Sequence, residues 1–229
     1  MNEQEITFNK ERTEIVIASN VRGAYDIPFG IHSINVRAFV NCTEMTSIHI
    51  PDSVQKIWHC AFDNCSSLTE VIIPHSVIYI GQGAFWLCES LITFKFPHKL
   101  VKTGAYSFNN CKSLVSVDIP NSVEEIGEEA FSECSKLQSL YIGENVKYIG
   151  NNAFSRCISL AQVHLKGKIP PKVSEELANS QYTSIIENKK DIFYFTVAPL
   201  LCFVPKGAYE IYHNDKYWRN HAIIEEGWL

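Results

Sequence analysis

Six of the eight cysteines, Cys42, Cys65, Cys88, Cys111, Cys134 and Cys157, follow one another at intervals of 23 residues. A metal site would gather its ligands within a few residues of one another. Even spacing over six members is instead the mark of a chain built from one repeated unit. Rows of 23 residues align much else. An Ala-Phe pair precedes each cysteine: Ala38-Phe39, Ala61-Phe62, Ala84-Phe85, Ala130-Phe131 and Ala153-Phe154, with Ser107-Phe108 as the variant. Three residues after the cysteines come Met45, Leu68, Leu91, Leu114, Leu137 and Leu160. The period runs from Pro28 to Leu165 without an insertion.

Each slot has a physical reading. Runs such as Leu68-x-x-Val71-x-Ile73 put alternate residues on one side, as an extended strand does. One such strand cannot bury its apolar face alone, so successive units must stack into a parallel sheet with continuous internal ladders. Pro28, Pro51, Pro74, Pro97 and Pro120 follow the strands and end the pairing, because proline lacks an amide donor. Gly81, Gly104, Gly127 and Gly150 are expected to supply a backbone conformation that side chains resist, although Trp58 holds the same slot one row earlier. The short Ala-Phe-x-x-Cys segment predicts a single helical or 3₁₀ turn with Phe and Cys inward. The cysteines then read as reduced structural thiols in a tight inward slot.

The motif Ile-Pro-x-x-Val-x-x-Ile-Gly-x-x-Ala-Phe-x-x-Cys-x-x-Leu resembles that of the BspA-like leucine-rich repeat family, most closely from Pro51 to Leu165. Residues 6–39, with Gly23 to Pro28 running into Ile34 and Ala38-Phe39, are similar to the family's N-terminal entry. Phe203-Val204-Pro205-Lys206-Gly207, followed by Tyr209, Tyr212 and Trp218, is similar to its closing segment. The resemblance implies an α/β solenoid, a right-handed leucine-rich-repeat superhelix with a parallel β-sheet on its concave face and capped ends. It further implies protein binding or adhesion, as in bacterial or protist surface proteins.

On this reading residues 1–27 form an N-terminal cap, 28–166 a solenoid of about six units, and 167–229 an irregular segment with an aromatic cap. Ile6, Phe8, Ile15 and Ile17 suit a hairpin that turns between Asn9 and Thr13 and covers the first coil. Residues 172–190 are polar and suit a helix or loop, and a helix is expected to begin near Lys206.

A net charge of −5 disfavours nucleic acid, whose phosphates need a basic face. No apolar run reaches the roughly 18 residues of a membrane span. Residues 1–12 lack the apolar stretch of a secretory signal, which points to the cytoplasm, whereas the family resemblance points to a cell surface or secretion. No nucleotide loop, nucleophile elbow or zinc-protease helix occurs, so a non-catalytic chain without cofactors is expected. Self-assembly through the ends and carbohydrate binding by exposed aromatics are the other functions considered.

Function is therefore sought on the surface. The outward strand position carries His49, Ile72, Lys95, Asp118, Tyr141 and His164, which form the candidate row for a protein partner. A narrower possibility lies two positions beyond the strands. Asp52, His75 and His98 follow one another there at about 4.8 Å per coil, and two imidazoles with a carboxylate suit zinc.

Overall fold

The computed structural model describes residues 5–173, 192–196 and 199–226. Each coil contributes to three ladders. The first is built from the longer strands and runs parallel throughout. Gly23–Asp26, Met45–His49, Glu70–Ile72 and Thr93–Lys95 form one sheet. Ser116–Ile119, Ser139–Ile142, Gln162–Leu165, Leu201–Pro205 and Ala222–Glu226 form the next. The register follows the sequence period, with Val71 opposite Ile48 and Leu140 opposite Val117. The inward members Val71, Ile73, Val117, Ile119, Leu140 and Ile142 are buried, as the alternation requires.

A second ladder joins two-residue strands, Ser33–Ile34, Lys56–Ile57 and Tyr79–Ile80, and resumes at Glu125–Ile126, Tyr148–Ile149 and Lys172–Val173. Single bridges, Ile80 to Thr103 and Lys102 to Glu125, carry it across the intervening coil. The longer-strand ladder also lapses beside that coil, between Thr93–Lys95 and Ser116–Ile119. Phe94 and Phe96 fill the strand slots there, where the other coils use smaller aliphatic residues. Their rings meet Phe108 edge-on at 4.4 and 5.5 Å. Extra apolar area thus reinforces the coil with the fewest ladder bonds.

The third side corrects the expected helical turn. The amides of Ala38, Val40 and Cys42 bond three residues back, to Asn35, Arg37 and Phe39. The alternate amides of Arg37, Phe39 and Asn41 bond to His59, Ala61 and Asp63 of the next coil at 2.7–3.0 Å. A continuous helical turn would direct all of these amides within the coil and leave none for the neighbour. The chain reconciles both demands by placing left-handed residues at two slots. One is filled by Arg37, Cys60, Gly83, Tyr106, Glu129 and Asn152, the other by Asn41, Asn64, Leu87, Asn110, Glu133 and Arg156. Among the described residues helix is confined to Tyr209–His213 and a 3₁₀ turn at Trp218–Asn220.

The glycine slot needs a different account from the one expected. Gly81, Gly104, Gly127 and Gly150 are not among the residues of positive φ. What they provide is close approach. A Cβ on Gly104 would lie 2.4 Å from the Gly81 carbonyl oxygen, and one on Gly150 would lie 2.4 Å from the Glu128 amide nitrogen. The left-handed conformation sits two residues further on, at Gly83 and its counterparts.

Phenylalanine and cysteine divide the interior. Phe39, Phe62, Phe85, Phe108, Phe131 and Phe154 stack ring on ring at 5.1–5.4 Å, within 17° of parallel. Each is fully buried, and burial of such a side chain is worth about 1.5–3 kcal/mol. The cysteine ladder has its own polar role. The Cys65 thiol donates to the Phe39 carbonyl at 3.1 Å, and Cys88, Cys111, Cys134 and Cys157 repeat the bond to the equivalent phenylalanine carbonyls at 3.2–3.3 Å. Each of those carbonyls also accepts from the amide of the cysteine three residues on, so the thiol from the next coil occupies its second lone pair. All eight cysteines are free.

The ends differ from the middle. Glu5–Phe8 pairs antiparallel with Glu14–Ser19, and the latter strand pairs in turn with Ser33–Ile34, so the hairpin is continuous with the second ladder. Asn9 fixes its turn, its side-chain oxygen accepting from the Thr13 and Glu14 amides at 2.8 and 3.0 Å. At the other end the Phe193 ring continues the stack beyond Phe154 at 5.8 Å. Trp218 and Tyr212 are completely buried, and the Tyr212 hydroxyl donates to the Gly167 carbonyl at 2.8 Å. Most of the polar stretch 172–190, including its expected helix or loop, lies outside the described residues.

Candidate functional site

Strand geometry fixes which side chains remain for function. With Val71 and Ile73 turned inward, Ile72 must project outward, and it is 57% exposed. The parallel register then sets its neighbours. Asp26, His49, Ile72 and Lys95 lie side by side in one sheet. Asp118, Tyr141 and His164 lie side by side in the next. The six residues expected to share a row thus fall into two triplets, with the ladder interrupted between Lys95 and Asp118.

The second triplet continues where the sequence period gives no guidance. Phe203 pairs beside His164, and Ile224 beside Phe203. His164 and Phe203 are 39 positions apart rather than 23, which hides Phe203 from a reading by fixed period. The run of apolar residues around Phe203 is the signal that was available.

The outcome is a flat aromatic strip. Tyr141 and His164 stack at 4.5 Å and 10°, and His164 and Phe203 at 4.6 Å and 11°. Charges border it: Lys166 pairs with Asp118 at 3.3 Å, and the His164 ring lies 3.5 Å from the Glu226 carboxylate. Small polar residues, Ser116, Ser139 and Gln162, form the adjacent column at the strand starts. A rigid apolar centre with a polar rim is the form of a recognition surface.

The second candidate set is only partly assembled. His75 and His98 do meet, their rings stacked at 4.4 Å. Among the described residues, however, no group of three or more His, Cys, Asp or Glu is placed to hold a metal, so Asp52 does not complete a site with them. The buried cysteines are poorly suited to act as nucleophiles. Burial raises the Cys65, Cys88, Cys111 and Cys134 thiols well above their usual range, and it brings Cys202 to about 12. At neutral pH these sulfurs carry protons, which Cys65, Cys88, Cys111 and Cys134 donate to the phenylalanine carbonyls.

Comparison with known proteins gives a consistent result. The family model for the BspA type leucine rich repeat region matches in six copies, over residues 24–105 and 88–190. Among solved structures, a leucine rich repeat protein of Treponema pallidum is 31% identical, with a TM-score of 0.63 over 75% of this chain and 82% of that one. A leucine rich cell surface protein of Faecalibacterium prausnitzii is 26% identical, with a TM-score of 0.61 over 87% and 68%. A leucine-rich repeat protein of Bacteroides ovatus is 25% identical, with a TM-score of 0.53 over 100% and 76%. No match is found among curated proteins. The repeated motif, the stacked coils and these likenesses agree, and the chain belongs to the BspA-type leucine-rich repeat family.

Proposed function

We propose that this chain is a non-catalytic protein-interaction scaffold that works at a cell surface, where the strand face holds a protein partner through Tyr141 and Phe203, with His164 stacked between them. The stacked aromatic strip carries this reading. Aromatic anchors are enriched among the residues that dominate binding energy, and parallel register holds these three without further ordering on association. Family membership supports the scaffold role, and the surface location follows the Faecalibacterium relative. Repeats 28–166 supply the working length in this reading, and the end segments serve as caps.

The test uses a double variant, Tyr141→Glu with Phe203→Glu. Both residues stand on the outer face, so the melting temperature should fall by no more than about 4 °C, the equivalent of roughly 1 kcal/mol in a chain of this size. Proteins retained from cell-surface extracts by the immobilised parent should bind the variant at least about tenfold more weakly, a loss of about 1.4 kcal/mol or more. Equal retention by parent and variant would remove the strand face from the account.

A further inference from the structure

A groove lies away from the strand face, along the ladder of two-residue strands. Its volume is about 750 Å³, and its floor is the backbone of Gly104, Gly127 and Gly150. The floor is bare because no side chain fits there: each Cβ would fall within 2.4–2.6 Å of backbone in the preceding coil. Coil packing thus leaves a channel that runs along the solenoid rather than across it.

Its walls combine two chemistries. Tyr79 and Tyr148 stand at opposite ends of one wall, with Lys102 and Glu125 between them in the same register column. Three coil steps separate the two tyrosines, roughly 14 Å at about 4.8 Å each. Tyr148 is 47% exposed, and Ile78 and Val101 add an apolar shelf, Val101 being 54% exposed. Gln82, Asn151 and Glu128 complete the lining. Lys102 and Glu125 form an ion pair with each other and so cancel one another's charge.

Part of the backbone along the groove is already bonded. The carbonyls of Ala105, Glu128 and Asn151 already accept from Gly83, Tyr106 and Glu129 of the preceding coils, and the Gly127 and Gly150 amides donate to Thr103 and Ile126. An extended peptide gains affinity by adding to an open sheet edge, and the strands along the groove are already bridged to the coils on both sides. Side chains therefore carry most of the contact with a ligand. Ring faces beside amides, a carboxylate and a paired ammonium suit a molecule with apolar C–H faces and hydroxyls that both donate and accept. From this we infer that the groove binds an uncharged oligosaccharide, its linked sugar rings spanning the distance from Tyr79 to Tyr148.

Calorimetric titration of the full chain tests this with three uncharged tetrasaccharides: β-linked glucose, β-linked N-acetylglucosamine and α-linked mannose. At least one should bind saturably at one site, and its monosaccharide should bind at least tenfold more weakly. Tyr148→Ala should lower the affinity tenfold or more, and Val101→Arg, which fills the shelf, should do the same. Tyr141→Ala on the strand face should leave it unchanged. The inference is overturned if none of the three binds the folded protein, or if binding survives both groove variants. It is also overturned if the groove takes up an extended decapeptide in a Tyr148-dependent manner and none of the sugars. Loss of protein capture in the strand-face variant does not bear on these results, so the two surfaces are tested separately.

Discussion

Replacement of Phe108 by alanine is expected to lower the unfolding free energy by about 3–5 kcal/mol, the range for a buried aromatic truncated to alanine. Phe108 is the most connected ring of the stack. It lies between Phe85 and Phe131 at 5.3 and 5.2 Å, and it also receives the edges of Phe94 and Phe96. Its loss opens a cavity beside the coil where both strand ladders lapse, which leaves mainly the third-side amide bonds to hold the two halves in register. Urea denaturation followed by far-ultraviolet circular dichroism reads the loss directly. Phe29, which is 86% exposed, provides the comparison, and Phe29→Ala should change stability by no more than about 0.5 kcal/mol. A Phe108→Ala loss below about 1 kcal/mol would mean that the ring stack is not what holds the coils together.

Gly127→Ala should be almost as damaging, for a different reason. The added carbon would lie 2.6 Å from the Ala105 amide nitrogen and 2.7 Å from the Gly104 carbonyl carbon. Both neighbours are backbone, so no rotamer change relieves the contact and the coils must separate. A loss of about 3 kcal/mol is expected, at the upper end of the range for overpacking. Gly23→Ala separates crowding from backbone conformation. Gly23 has φ +65°, and a Cβ added there would meet nothing within 4 Å. Alanine at that position should therefore cost only about 1–2 kcal/mol of left-handed strain. If Gly127→Ala were the milder of the two, close approach would not explain the glycine slot.

Much of this architecture was legible because each coil repeats the same solution. The spacing of Cys65, Cys88 and Cys111 gave the period, and the alternation around Val71 and Ile73 gave the inward face. The left-handed slots were harder to see, because unlike residues occupy them. Arg37, Cys60, Tyr106 and Glu129 share one conformation, which is imposed by bonds to the next coil rather than by residue preference. Asn41, Asn64 and Asn110 in the companion slot were the visible clue, since asparagine tolerates positive φ better than most. The role of Cys65 and its counterparts as donors to phenylalanine carbonyls also left no trace in composition, because a buried thiol reads first as a small apolar filler.

The candidate surface was legible to the same extent. Tyr141 and His164 fall in one column by period alone, whereas Phe203 joins them only after the chain has left and re-entered the ladder. The interruption between Lys95 and Asp118 was invisible, since the 23-residue spacing passes through it unchanged. A row of six that looks uniform in sequence is therefore two surfaces of different chemistry. One is mixed, around Ile72, and the other is aromatic, around His164.

Hydroxyl-radical footprinting of the folded chain, alone and with a protein partner retained by the parent but not by the strand-face variant, tests the central claim most directly. Tyr141 and Phe203 are expected to lose reactivity on binding, while Trp86 and Tyr148 on other sides of the coil remain as reactive as before. Protection of Trp86 or Tyr148, with Tyr141 and Phe203 unchanged, would contradict it.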